Sequence, residues 1–273
     1  MVLRLLLLIV YVHSQQPSVA ICFFGIPRAF NTTLPSILQR LIHPLQAVAR
    51  VSIYIHTYDI TNVTNARSGE LNASIRPLDV LQLTPSGIEI EDERAVLSAL
   101  PPEFCRKHGD PWTNDYRSFD NYMCQLHSLR RITEMMAASR SRPYDAVVFA
   151  RLDMYYFTPI DAAQVLATPN NTIFIPHFHN FGGANDRFAF GSQSTMELYG
   201  RRQLSIHGYC RLLPAHSEKY LLWFLRSNRL TIRRTSILFG RMRANGMLWE
   251  QPRWQIERVV KNVSVDQVEN GHH

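Results

Sequence analysis

No stretch of the 273 residues approaches the roughly 18–20 consecutive apolar positions of a membrane-crossing helix, which excludes a multi-pass membrane protein. Glycine (12) and proline (15) stand at ordinary levels and no internal repeat recurs, so collagen-like and low-complexity chains are excluded as well. The cysteines number four, with no Cys-x-x-Cys pair and no Cys/His spacing of a zinc site. Nothing matches a nucleic-acid recognition motif. What is present is 46% hydrophobic and 19% charged residues. That composition is expected of a soluble globular protein long enough to bury one large core in one or two domains.

The first sixteen residues, MVLRLLLLIVYVHSQQ, have the pattern of a secretory signal, with a short signal-anchor as its competitor. Arg4 forms the positive end, residues 5–12 the apolar stretch, and Val12-His13-Ser14 a cleavage-like end. Asn-x-Ser/Thr triplets at Asn31, Asn62, Asn72, Asn170 and Asn262 agree with a glycoprotein of the secretory lumen (ER/Golgi) or a secreted one. In an oxidising compartment, Cys22, Cys105, Cys124 and Cys210 allow three disulfide pairings. Cys22 lies within a strand-like run, where a buried thiol is an alternative.

The net charge of +7 is unevenly spread. Between Arg201 and Lys261 there are thirteen Lys/Arg against Glu218, Glu250 and Glu257, giving +10 there and −3 elsewhere. Such a field suits a polyanionic partner such as a nucleotide diphosphate or a sulfated glycan, although a merely solvated basic face gives the same count.

Along the chain, SVAICFF (18–24) reads as a buried strand ending at Gly25, followed by a helix over 35–45 with Thr33 as N-cap, then a strand over 48–55. This βαβ opening predicts an α/β fold with a mostly parallel, Rossmann-type sheet flanked by helices. Residues 60–117 are irregular and read as an insertion with one short helix over 91–100. A long helix is expected over 119–139, strands over 145–150, 172–176 and 230–234, an apolar stretch over 188–190, and helices near 161–166, 194–199 and 217–227. The division expected is a signal at 1–16, one domain over 17–265, and a tail over 266–273.

Three places set polar groups just past strand ends, where open parallel sheets bind ligands. In Gly25-Ile26-Pro27-Arg28 the glycine allows close backbone approach and Arg28 suits a phosphate. Arg151-Leu152-Asp153 follows VVFA, with Arg151 and Asp153 on one side by strand alternation. There the carboxylate suits a divalent cation, and an Arg–Asp ion pair closing the strand is the plain alternative. In the third, FGGANDRFAFG (181–191), two glycines free the loop and Asp186 is placed to accept a proton; an Asn185/Asp186 turn is the plain alternative. Glu218, early in a helix, is a second candidate acid.

Taken together, FFGIPR, IHTYD, RLDMYY and GGANDRFAFGS resemble the motifs of a eukaryotic GT-A-like glycosyltransferase family, across most of residues 18–250. NDRFAFG is the most specific piece. The resemblance implies a nucleotide-sugar donor, with a UDP-sugar expected, and a glycan or glycoconjugate acceptor. It places Gly25 and Arg28 at the nucleotide, Tyr58 and Asp59 on the nucleoside side, and Asn185, Asp186 and Arg187 facing sugar and acceptor. Asp153 would hold Mn²⁺ or Mg²⁺ against the diphosphate. The family's Asp-x-Asp is Arg151-x-Asp153 here, so a guanidinium stands where the first carboxylate is usual and can itself steady the diphosphate. For transfer, Asp186 is the expected base, ahead of Glu218. Two other functions fit the sequence: a non-catalytic glycan-binding pseudoenzyme, and a luminal sulfotransferase using Arg28, Thr32 and Thr33.

Overall fold

The computed structural model describes residues 16–65, 69–101, 103–111, 115–139 and 142–249. The expected signal (but for its last residue), the Asn262 triplet and the tail lie outside them. The chain begins with β1 (Ser18–Phe24), α1 (Phe30–Ile37), a π turn over Leu38–Ile42, α2 (His43–Gln46) and β2 (Arg50–Tyr58). It continues through the hairpin β3 (Asn62–Asn65) and β4 (Glu70–Ser74), then β5 (Gly87–Glu91), α3 (Glu93–Ser98) and α4 (Arg117–Ala138). Next come β6 (Ala146–Arg151), β7 (Met154–Tyr156), α5 (Ala162–Leu166), β8 (Thr172–Pro176) and β9 (Phe188–Gly191). The last elements are α6 (Gln193–Gly200), α7 (Ile206–Cys210), α8 (Ser217–Ser227), β10 (Thr231–Thr235), β11 (Phe239–Met242) and β12 (Leu248–Trp249).

Seven strands form one mixed sheet in the order β10-β8-β9-β6-β1-β2-β5. Only β9 runs against the other six, antiparallel to both β6 and β8. β1 is buried at all seven positions, which explains its unbroken apolar run: both faces of the sheet are covered. Its alternate residues divide between two cores. Ala20, Cys22 and Phe24 meet Leu126, Leu129 and Ile132 of α4, while Val19, Ile21 and Phe23 meet Phe30 and Ile37 of α1. A mixed α/β architecture with a mostly parallel central sheet flanked by helices is therefore observed.

Several boundaries differ from the sequence reading. The first helix starts at Phe30, behind Ala29 in the left-handed region, so Thr33 is no cap; its buried hydroxyl donates to the Leu152 carbonyl at 2.9 Å. Residues 60–117 are not a detached insertion, because β5 extends the main sheet beside β2. Cys105 and Cys210 form a disulfide, and Cys22 and Cys124 remain buried thiols. The asparagines of the four described glycosylation triplets are all exposed. Among the described residues no helix is long and apolar enough to cross a membrane.

Candidate functional site

At the carboxyl ends of β1 and β6 lies a cavity of about 280 Å³. The chain leaves β1 toward β2 on one side and returns on the other as β6, so this is the crevice where open α/β sheets accept ligands. Gly25 forms its floor with φ +87, and an added Cβ there would meet nothing within 4 Å. Its N–H donates to Ser128 Oγ of α4 at 3.0 Å.

The wall is made of guanidiniums. Arg28, Arg151, Arg187, Arg241 and Arg243 all line the cavity. The sequence holds only three lysines among its 29 basic residues, so its positive charge is almost entirely of this planar, five-donor kind. The carboxylates that orient these arginines lie behind the wall. Arg151 grips Asp153 with two bonds, Nε to Oδ1 at 2.8 Å and Nη2 to Oδ2 at 2.7 Å. Arg28 donates to the same Oδ2 at 3.1 Å and reaches Glu70 at 3.3 Å. Glu70, fully buried in β4, also pairs with Arg243 at 3.4 Å. Burial alone would raise the Asp153 pKa, but Arg151, Arg28 and Arg241 reverse this and hold the carboxyl well below the ordinary carboxylate range.

Mn²⁺ and Mg²⁺ take hard oxygen ligands. Here both Asp153 oxygens face guanidinium N–H groups, and three cations surround the one carboxylate. That donor set does not fit a divalent cation, and it matches the Arg–Asp ion pair that the strand end also allowed.

Beside Arg187 stands a second acid. Glu218, at the start of α8, lines the cavity, and Arg187 reaches its Oε1 at 3.2 Å. Burial would raise its pKa; hydrogen bonding from His216, the Arg187 charge and the Ser217 hydroxyl outweigh that and bring it down to about 2. Asp186, buried as Glu218 is, is absent from the lining, and its Oδ2 accepts from Gln125 Nε2 at 2.6 Å. Burial and the neighbouring Glu218 charge raise its pKa, against Arg187 and Arg202. Gln125 also accepts from Arg151 Nη1 at 2.7 Å. One polar chain thus runs Asp153, Arg151, Gln125, Asp186, Arg187, Glu218 along a single face of the cavity.

Gly25, Arg28, Arg151, Arg187 and Glu218 therefore meet at the cavity, with Asp153 and Asp186 directly behind them. Two other candidates do not join them. Asp59 is exposed and absent from the lining, although its neighbour Tyr58 contributes to it. Asn185 is fully buried and spends its side chain on the loop, donating to the Phe178 carbonyl at 2.9 Å and accepting from the Arg187 N–H at 2.9 Å. That is the Asx-turn role of the residue type. Gln125, Glu70, Arg241 and Arg243 were missed by sequence reasoning.

The 180–187 loop is held against α8 by contact with its backbone. Ala184 N–H donates to the Glu218 carbonyl at 2.9 Å, and a Cβ on Gly183 would lie 2.0 Å from that oxygen. Backbone cannot swing aside as a flexible side chain would. Gly183→Ala is accordingly expected to lose about 1–3 kcal/mol of stability, and to displace Arg187 from Glu218. Urea denaturation checks this, with Gly208→Ala, where nothing lies within 4 Å, as the near-neutral control.

Compared with known proteins, the chain matches no protein-family model and no curated protein sequence.

Proposed function

We propose that the chain is a nucleotide-sugar-dependent glycosyltransferase of GT-A-like architecture, working in the secretory lumen on a glycan or glycoconjugate hydroxyl. The observation that carries this reading is the polarised wall: Arg28, Arg151, Arg187, Arg241 and Arg243 lining one cavity, the buried carboxylates of Asp153, Glu70 and Asp186 behind them, and Glu218 paired with Arg187 in the same lining. Preoriented Arg forks bind phosphate oxygens bidentately and stabilise charge that develops on a departing group.

In this reading the donor diphosphate lies against Arg28 and Arg151 over Gly25, with Arg241 and Arg243 closing on it. The bond between the sugar's anomeric carbon and the diphosphate oxygen breaks while the acceptor oxygen bonds to that carbon. The hydroxyl proton passes to Glu218, and the negative charge left on the diphosphate stays with the arginines. Geometry puts Glu218 ahead of Asp186 for this role, since of the two it is the one that lines the cavity. A low pKa does not disqualify it, because a hydroxyl attacking an oxocarbenium-like centre becomes strongly acidic as the new bond forms.

Titration calorimetry with UDP, with and without Mn²⁺, tests the reading. Binding without added cation is expected, weakened roughly 10-fold by Arg241→Met, the scale of one lost charge-assisted hydrogen bond. Absence of UDP binding under either condition overturns it. Binding of 3′-phosphoadenosine 5′-phosphosulfate instead selects the sulfotransferase. A second reading is favoured by the ion pairing of Asp153 and Asp186, which suits a static binding wall. Retention of an anionic glycan with no UDP binding and no sugar transfer selects that glycan-binding pseudoenzyme.

A further inference from the structure

We propose that His56, Glu91 and His127 form a site for one divalent transition-metal ion, zinc by its ligand chemistry, which clips the edge of the sheet to α4. The site is separate from the arginine-lined cavity and does not depend on the glycosyltransferase reading.

The three residues come from three elements. His56 is in β2, Glu91 ends the neighbouring β5, and His127 lies on α4 above them. Both imidazoles aim Nε2 at one carboxylate oxygen, Glu91 Oε2, at 3.1 Å from His56 and 2.5 Å from His127. All three ligand atoms lie within 4.8 Å of one another. A tetrahedral zinc with bonds of about 2.0–2.1 Å separates its ligand atoms by roughly 3.3 Å, so side-chain movements of under about an ångström complete the site. Two imidazoles and a carboxylate are a donor set that zinc accepts while keeping a fourth position for water.

The hydrogen bonds around His56 make the case stronger. Ser128 has one hydroxyl proton, which it gives to the His56 carbonyl at 3.2 Å. The same oxygen accepts from Gly25 N–H at 3.0 Å and lies 2.9 Å from His56 Nδ1; with the hydroxyl proton on the carbonyl, the tautomer that fits has the hydrogen on Nδ1. A neutral His56 then presents the bare lone pair of Nε2 to an anionic oxygen. A lone pair facing a carboxylate is repulsive unless a cation lies between them. A proton on one of the imidazoles is one solution. A metal ion is the other, and it satisfies both imidazoles at once.

The surroundings are those of a supported site. Ser128 fixes the ring of His56, and Arg131 Nε lies 3.5 Å from Glu91 Oε1, leaving Oε2 to the imidazoles. The Arg131 charge, unfavourable beside a cation, is offset by Glu89 at 2.5 Å and Glu134 at 2.9 Å. The side chains of His127 and Glu91 are 18% and 26% exposed, which provides an entry path and room for the fourth ligand.

The experiment is metal titration of the full chain after chelator treatment. Co²⁺ is followed by its visible absorption, and Zn²⁺ by calorimetry and thermal denaturation. Expected are one equivalent bound, a tetrahedral Co²⁺ spectrum displaced by Zn²⁺, and a melting temperature that rises with Zn²⁺. His127→Ala removes a rim side chain rather than a core one; it should fold and bind at least about 100-fold more weakly, and Ser128→Ala roughly 10–100-fold more weakly. His43→Ala, outside the cluster, should bind as the unaltered chain does. If no stoichiometric uptake occurs, or if His127→Ala keeps the unaltered affinity, the site does not exist and the cluster is a protonated imidazole pair sharing a carboxylate.

Discussion

Asp153→Asn is expected to cost about 3–5 kcal/mol of folding free energy, the range for removing one partner of a buried ion pair. The carboxylate is fully buried and its two oxygens take three guanidinium hydrogen bonds. An amide carries no charge and offers one accepting oxygen, so Arg28 and Arg151 are left inside the protein with their positive charge uncompensated on that side. The effect has a pH signature. Because Asp153 is held below the ordinary carboxylate value, the unfolded chain binds its proton more readily than the folded one. Its contribution is complete above the ordinary value of about 4 and is lost as pH falls below it. The acid limb of the stability curve should therefore be shallower in Asp153→Asn. Glu218 acts in the same direction, and Asp186, whose pKa is raised, in the opposite one, so the difference between the two proteins isolates Asp153. Urea denaturation at pH 7 and across the acid range measures both. A loss under about 1 kcal/mol at pH 7 would mean that the arginines are held by water rather than by this carboxylate. The cavity wall would then lack the preorganisation on which electrostatic catalysis rests.

The parts of this arrangement that could be read from the sequence are those whose cause is local. β1 and β6 are continuous apolar runs because they are buried on both faces, and α4 shows its helical period through Tyr122, Leu126, Leu129 and Ile132. The same helix carried a signal that went unread. Ser118, Asn121, Gln125 and Ser128 recur at steps of three and four, and the first three line the cavity while Ser128 holds Gly25. A polar stripe beside an apolar one usually means solvent; here it marks a wet wall inside the protein. What could not be read depends on partners far apart in the chain. Glu70 is a single acid in an irregular stretch, and only the fold sets it between Arg28 and Arg243, 173 residues from the latter. The reversed direction of β9 leaves no mark in FAFG, since an apolar run has no polarity along the strand. β7, β11 and β12 have three, four and two residues, too few for a period to be visible. The Cys105–Cys210 bridge was one of three pairings, resolved only by the fold that brings α7 to Cys105.

Glu218→Gln is expected to lower sugar transfer by about 10²–10⁴-fold, the contribution of a positioned acid–base group, while leaving UDP affinity within a few-fold of the unaltered chain. The reasoning follows from where the two carboxylates stand. Glu218 lines the cavity from the first turn of α8, whereas Asp186 is outside the lining and covered by Gln125, which bonds to it at 2.6 Å. The arginines proposed to hold the diphosphate come from the ends of β1 and β6 and from β11, which Glu218 does not belong to, so binding and turnover should separate in this variant. Glutamine keeps the shape and still accepts a hydrogen bond from Ser217 or His216, but takes no proton from an acceptor hydroxyl. Asp186→Asn is the informative companion. If Asp186 only orients Arg187 and receives Gln125, its loss should act through both, raising KM for the acceptor and lowering kcat by far less than Glu218→Gln. Should Asp186→Asn abolish turnover while Glu218→Gln transfers normally, the base is Asp186, and Gln125 must move aside for the acceptor to reach it. Arg187 spans both acids, at 3.2 Å from Glu218 and 3.7 Å from Asp186, and therefore sets the difference between them. Arg187→Lys keeps the charge but not the fork; it should raise the Glu218 pKa above about 2 and shift the acid limb of kcat/KM to higher pH, the direction in which a less stabilised carboxylate titrates.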